Sequence, residues 1–328
     1  MTAARTGASQ LANRLAELDR LADERGMRLV PDAPLGTMTT LRVGGTADRM
    51  LVADDTDVLL GGLRLASDAG VPAGVLGKGS DIVVADAGIR GLVIRNRADG
   101  IHIDGQAIVA GSGTAMAALV KRCAAAGLAG LEFGISIPGS VGGAVWANAG
   151  AHEGEMRDVV REVHAWSAHE GRDFRLTNEE CEFAYRDSRF KSGREAVLAA
   201  TLMLEPGDSQ LIRQQVAAHQ ERRRATQPLA DQNAGSVFRN PEGDHAGRLI
   251  EAAGLKGHRI GSASVSTLHA NFIVVDRDGR ASDIRMLGEV VRRTVADRFG
   301  VDLRYEIEFV GDWPADEVAH PSALAGIS

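Results

Sequence analysis

The segment Leu76-Gly-Lys-Gly-Ser-Asp-Ile82 sets a lysine between two glycines and follows it with a hydroxyl and a carboxylate. Glycine on both sides of Lys78 lets backbone N–H groups turn toward a phosphate while the ammonium adds positive charge. A tight turn between strands has the same composition, so this loop alone decides nothing. Gly111-Ser-Gly-Thr-Ala-Met116 lies between a predicted strand and a predicted helix, with Glu132 about where a ribose-binding acid sits in a dinucleotide fold. The third glycine of that fingerprint is missing, and the segment reads as a helix N-terminus packed beside a ligand. Leu41-Arg-Val-Gly-Gly-Thr46 is a further glycine loop. In Gly134-Ile-Ser-Ile-Pro-Gly-Ser-Val-Gly-Gly-Ala-Val-Trp-Ala-Asn-Ala-Gly-Ala151, glycines and a proline interrupt apolar residues without a regular strand or helix. Such a stretch lets backbone approach a large planar ligand with its amides still available as donors.

Three side chains further along suit acid, base or anion chemistry. Arg186, in Tyr185-Arg-Asp-Ser188, offers a forked cation for a carboxylate, although by itself it reads equally as a surface partner of Asp187 or Glu182. Ser236 follows Gly235 in Gly235-Ser-Val-Phe-Arg-Asn-Pro241; alone it is a turn or cap serine. Glu306 and Glu308 project from one face of a predicted strand, and spacing does not separate them. The nine histidines show no HxxxH or HExxH spacing, and Cys123 and Cys181 are too few for a thiolate site, so no metal centre is predicted.

The elements that must position these residues alternate in type. Ser9 opens an amphipathic helix with Leu11, Leu15, Leu18 and Ala22 on one stripe, after a frayed stretch over 1–8. Residues 49–53, 74–76, 82–84, 91–94, 101–103 and 107–110 read as strands, and 56–69 and 114–126 as helices. Strands at 161–167 and 197–204 follow, then a polar helix over 211–225 whose arginines 222–224 read as a solvated helix end. A linker at 226–231 precedes a helix at 246–253, a strand at 271–275, a helix at 284–299 and a strand at 304–310. This is an α+β pattern rather than a bundle.

Composition narrows the class. The 328 residues suggest more than one domain, and 39 glycines without period exclude a collagenous or low-complexity chain. Basic side chains number 37 against 44 acidic, a net charge of −7, which argues against a nucleic-acid binder. No apolar run approaches the ~20 residues of a membrane span, and no export signal is visible. A cytoplasmic protein is expected, with its oligomeric state open.

Taken in order, the loop at 134–151, Tyr185-Arg-Asp-Ser188, Gly235-Ser-Val-Phe-Arg-Asn-Pro241, Ala253-Gly-Leu-Lys-Gly257 and His269-Ala-Asn-Phe-Ile273 resemble the UDP-N-acetylenolpyruvoylglucosamine reductase family, the UDP-N-acetylmuramate dehydrogenases of peptidoglycan precursor synthesis. The resemblance implies a two-lobed FAD-binding unit of the vanillyl-alcohol-oxidase type (lobes about 39–97 and 98–210), after a lead-in over 1–38. A smaller α+β substrate-binding domain over 211–312 and a tail over 313–328 follow. It implies FAD against Gly77, Lys78, Gly79, Ser80, Asp81, Pro138, Gly139, Ser140, Gly142, Gly143, Asn148 and Gly150. Asp81 stands where the family usually has asparagine, and a carboxylate there would repel a nearby phosphate.

The implied reaction reduces UDP-N-acetylglucosamine enolpyruvate with NADPH. Hydride reaches the terminal vinyl carbon, so negative charge develops on the α carbon and the neighbouring carboxylate. Within the resemblance, Arg186 stabilises that charge, Glu306 as a buried acid donates to the enolate oxygen, and Ser236 protonates the α carbon. Tyr185, Asn240 and Lys256 match motifs implied to hold the substrate's diphosphate and sugar. Alternatives are another FAD-dependent oxidase on the same scaffold, which leaves the C-terminal motifs without purpose, or a non-catalytic flavin- or nucleotide-binding module.

Overall fold

The computed structural model describes residues 2–314. Most of the expected tail lies outside these residues. Trp313 does not: it is buried against Phe309, and its indole N–H donates to the Val310 carbonyl at 3.1 Å. The first helix also departs from expectation, running Thr2–Glu24 where fraying was predicted before Ser9.

The first lobe is a four-stranded sheet ordered Val30–Pro34, Thr46–Ala53, Ile89–Asn96, Ala73–Leu76. The helix Thr56–Ala69 crosses between two strands that both run parallel to Ile89–Asn96. Its limits are chemical. The Asp55 carboxylate accepts from the Val58 N–H at the start, and Gly70 ends it in the left-handed conformation. Between them Leu59, Leu63, Leu65 and Ala66 are fully buried, which is the stripe that fixes the helix on the sheet. Val30–Pro34 went unpredicted because its two prolines mask strand character, yet proline is tolerated on an edge strand such as this one.

The second lobe is a five-stranded antiparallel sheet ordered Arg172–Thr177, Val160–Ser167, Glu195–Met203, Ala107–Gly111, Ile101–Asp104. Its core includes Val163, Leu202, Phe190 and Val141. The glycine-rich loop packs here, and contrary to expectation it contains a helix, Val141–Trp146, capped by the Ser140 hydroxyl. The helix Ser209–Thr226, expected within the substrate domain, buries Val216 in this same core. We therefore propose that the third unit begins after it.

In the third unit the helices Ala246–Ala252 and Ala281–Phe299 cover a sheet of Arg259–Ile260, Ala263–Val265 and Ile273–Val275. The chain then returns. Glu308–Val310 pairs in parallel with Ile82–Val84 of the first lobe, in register Glu308 with Ile82. The strand predicted over 304–310 is thus shorter: Tyr305 makes an isolated bridge with Phe238, and the ladder starts only at Glu308. This return carries Glu306 and Glu308 to the end of the lysine-glycine loop.

Candidate active site

A cavity of about 1430 Å³ opens where the three units meet. Single small-molecule sites are commonly about 300–1,000 Å³, so this one has room for a cofactor and a second ligand together.

One wall is backbone. The loop at 77–81 and the loop at 138–143 abut, and a Cβ at residue 77 would strike the Ser140 hydroxyl. Gly79 has φ +61°, and a Cβ there would lie 2.6 Å from the Met38 carbonyl oxygen. Position 79 therefore requires glycine, whereas at residue 77 a side chain would have to displace the Ser140 hydroxyl. The glycine loop at 111–116, expected beside the ligand, instead supports the loop at 134–151 from behind. Val141 and Gly142 donate to the carbonyls of Thr114 and Ser112 at 2.8 and 2.9 Å, and residues 111–116 do not line the cavity. Glu132 is buried elsewhere and accepts from the Gly130 N–H, so no dinucleotide fingerprint is assembled.

The opposite wall is charged. Tyr185 and Arg186 occupy a two-residue turn closed by paired Ala184–Asp187 backbone bonds, with Arg186 at φ +54°. A non-glycine residue held in that region is strained, and here the strain aims the guanidinium inward. Its Nε donates to Glu306 Oε1 at 2.8 Å and one terminal nitrogen to the Gly150 carbonyl at 2.7 Å. The Glu306 N–H donates in turn to the Val237 carbonyl at 2.8 Å, next to Ser236. Arg186, Ser236 and Glu306 therefore converge on one cavity through directly bonded segments. Glu306 Oε1 accepts from Arg186 in this arrangement, so the guanidinium and the carboxyl meet directly.

Beneath this pair lies a second one. Lys191 Nζ is 2.8 Å from Glu308 Oε1, and the ammonium sits 4.2 Å from the centre of the Trp146 ring. Asp81 is close by at the cavity wall. Burial of its carboxyl, opposed by Lys191 and reinforced by Glu308 and Glu306, raises it from 3.8 to about 6, although the residue keeps partial exposure to the cavity. At pH 7 a carboxyl with that value is still mostly ionised, so its charge has to be balanced by Lys191 beside it and Lys78 in the same loop for residues 77–81 to accept a diphosphate-bearing cofactor.

Of the residues singled out from sequence, Gly77, Lys78, Gly79, Ser80, Asp81, Pro138, Gly139, Ser140, Gly142, Gly143, Gly150, Tyr185, Arg186, Ser236, Asn240 and Glu306 all line the cavity. Asn148 and Lys256 do not. Asn148 is fully buried at φ +42°, its amide donating to Glu155 and to the Ala184 carbonyl while its oxygen accepts from the Arg157 N–H. It shapes the loop rather than touching a ligand. Lys256 pairs with Glu251 at 2.9 Å. Asn240 has a structural task as well, accepting from the Ala246 N–H at the start of a helix.

Sequence reasoning missed Lys191, Trp146, His152 and His219. The two histidine rings stack 3.8 Å apart at the wall, joined by Arg222 and Arg223 from what was expected to be a solvated helix end. Their neighbours come from distant segments, and the sequence carries no local signal for them.

The fold is the two-lobed FAD-binding architecture of the vanillyl-alcohol-oxidase type with an added α+β unit, and the chain is an FAD-dependent oxidoreductase. Residues 47–176 match the family profile described as an FAD binding domain. Residues 227–310 match that of the UDP-N-acetylenolpyruvoylglucosamine reductase C-terminal domain. The chain is 45% identical over 285 residues to UDP-N-acetylenolpyruvoylglucosamine reductase 2 of Symbiobacterium thermophilum, covering 86% of this chain and 92% of that one. Identity to the Bacillus subtilis reductase is 37% over 297 residues, 90% and 98% of the two chains. The crystal structure of UDP-N-acetylenolpyruvylglucosamine reductase from Thermus caldophilus superposes with a TM-score of 0.75 at 36% identity, covering 88% of this chain and all of that one. The chain belongs to the UDP-N-acetylenolpyruvoylglucosamine reductase family.

Proposed function

We propose that Arg186, Ser236 and Glu306 carry out the NADPH-dependent reduction of UDP-N-acetylglucosamine enolpyruvate to UDP-N-acetylmuramate, a cytoplasmic step toward peptidoglycan. The observation that carries these roles is the convergence of one forked cation, one hydroxyl and one carboxyl on a cavity whose other wall is glycine backbone. FAD, when bound along residues 77–81 and 138–143, supplies storage of a hydride between NADPH and the vinyl carbon.

The side chains answer the charge that this addition creates. Arg186 receives the substrate carboxylate and stabilises the negative charge that grows on it. That carboxylate competes with Glu306 for the guanidinium. Once displaced, Glu306 faces a second anion, and a proton shared between the two relieves the repulsion. Ser236 gives its proton to the α carbon, a base much stronger than an alkoxide, so the transfer runs downhill when the hydroxyl is in line. Gly235, at φ +78° with open space around its Cα, lets the serine backbone take this position. Tyr185 and Asn240 line the same cavity and suit the substrate's sugar and diphosphate.

Ser236→Ala should retain FAD and accept hydride from NADPH at the wild-type rate, yet fail to complete substrate reduction. Rapid mixing of the reduced variant with the enolpyruvyl sugar nucleotide checks this. Flavin reoxidation at the normal rate, with normal product yield, removes Ser236 from its role.

A further inference from the structure

Lys191 lies five positions after Arg186, just past its turn, and Glu308 lies two positions after Glu306. The four side chains form two rungs between the same pair of segments: Arg186 with Glu306 at 2.8 Å, and Lys191 with Glu308 at 2.8 Å. The rungs differ in setting. Lys191 and Glu308 side chains are each 14% exposed, against 20% and 24% for Arg186 and Glu306. Lys191 also follows Phe190, which is fully buried in the second lobe, and its ammonium rests on the Trp146 ring. Glu308 opens the strand that pairs with the first lobe, and its N–H donates to the Asp81 carbonyl at 2.9 Å. The inner rung therefore ties all three units together beside the reacting groups.

We propose that Lys191 is a positioning residue for the reduction: through Glu308 it holds the segment bearing Glu306 against the second lobe when the substrate carboxylate takes Arg186 away from Glu306. This rests on the function proposed above. The outer rung is the one exposed to displacement, because on that function the substrate carboxylate competes with Glu306 for the same guanidinium. The inner rung is the less exposed of the two, at 14% for each side chain. Without it, Glu306 would lose its fixed distance from the second lobe at the moment the substrate arrives.

The test is steady-state kinetics and flavin reduction on Lys191→Met, Lys191→Arg, Glu308→Gln and the Lys191→Met/Glu308→Gln double variant, with flavin content and melting temperature of each. A positional error of about an ångström is worth up to about a hundredfold in rate, so Lys191→Met should lower kcat by about tenfold or more while KM for the sugar nucleotide stays within about threefold. NADPH should reduce the flavin of this variant normally, since neither rung acts in that half of the cycle. Lys191→Arg should restore most of the rate, and the double variant should be no slower than the worse single one, because both remove the same rung. Wild-type kcat in Lys191→Met, or losses that multiply in the double variant, overturns the role of Lys191. Loss of flavin or a collapsed melting temperature in both Lys191→Met and Lys191→Arg makes the residue a folding element and equally overturns it. A wild-type enzyme that oxidises NADPH without needing the enolpyruvyl substrate overturns the functional reading instead.

Discussion

The cavity has two walls built on different physical plans. The wall at 77–81 and 138–143 is backbone, with Gly79 and Gly142 packed so closely that a Cβ would lie 2.6 and 2.9 Å from a neighbouring atom. The wall at 185–191 and 306–308 is charge, assembled from segments more than 100 residues apart: 120 between Arg186 and Glu306, 117 between Lys191 and Glu308. The first binds by shape and amide donors, and its geometry is set by local turns. The second acts by electrostatics, and its geometry exists only after the chain has closed. Damage to the first should therefore remove the cofactor, and damage to the second should remove turnover while the cofactor stays.

The largest effect should come from the charged wall. Arg186→Lys keeps a positive charge but loses the fork, and kcat/KM should fall by about 10²–10³, as when one preorganised donor to a developing anion is removed. The visible flavin spectrum should be unchanged. Loss of flavin in this variant would break the division between the walls.

Next comes Gly79→Ala. Its Cβ would meet the Met38 carbonyl oxygen at 2.6 Å and the Thr39 Cα at 2.9 Å, at a φ of +61° that favours glycine. A destabilisation of about 1–3 kcal/mol is expected, seen as a lower melting temperature, with the protein purifying partly colourless. An intact yellow protein with wild-type stability would show that this loop tolerates a side chain and does not cradle the cofactor.

The smallest effect belongs to Asp81, where the walls touch. Burial first, then Glu308 and Glu306, raise its carboxyl from 3.8 to about 6 against the pull of Lys191. The folded protein thus prefers the protonated form. Its contribution to stability is fully present below about pH 4 and is lost as the pH rises through about 6. Asp81→Asn has no such charge to bury, so its stability relative to wild type should improve between pH 4 and pH 7. Urea unfolding at the two pH values measures this; a difference that does not change with pH would mean that burial does not raise the Asp81 carboxyl above its ordinary range.

Much of this was legible beforehand, for identifiable reasons. The helix Thr56–Ala69 was predicted to the residue because Asp55, Gly70 and a leucine stripe are all local signals. The strand Ile82–Val84 was equally plain from its β-branched run. The helix Val141–Trp146 was not, since its two glycines outweigh propensity until Ser140 caps it and the loop at 111–116 supports it from behind. Lys256 matched a motif, yet a motif does not say which side chain faces a cavity, and Glu251 holds it. Lys191 carried no mark at all, because its partners Trp146 and Glu308 lie 45 positions before it and 117 after it.

Residue types and short-range order determined which groups were available: a cation with a forked head, a serine behind a glycine, a pair of glutamates two apart, and loops only glycine can form. Tertiary structure decided which of them meet. The return of Glu308–Val310 to the edge of Ile82–Val84 is a long-range hydrogen-bonded pairing with no counterpart in local sequence, and it is this pairing that turns two acids two positions apart into one catalytic candidate and one partner for a buried lysine.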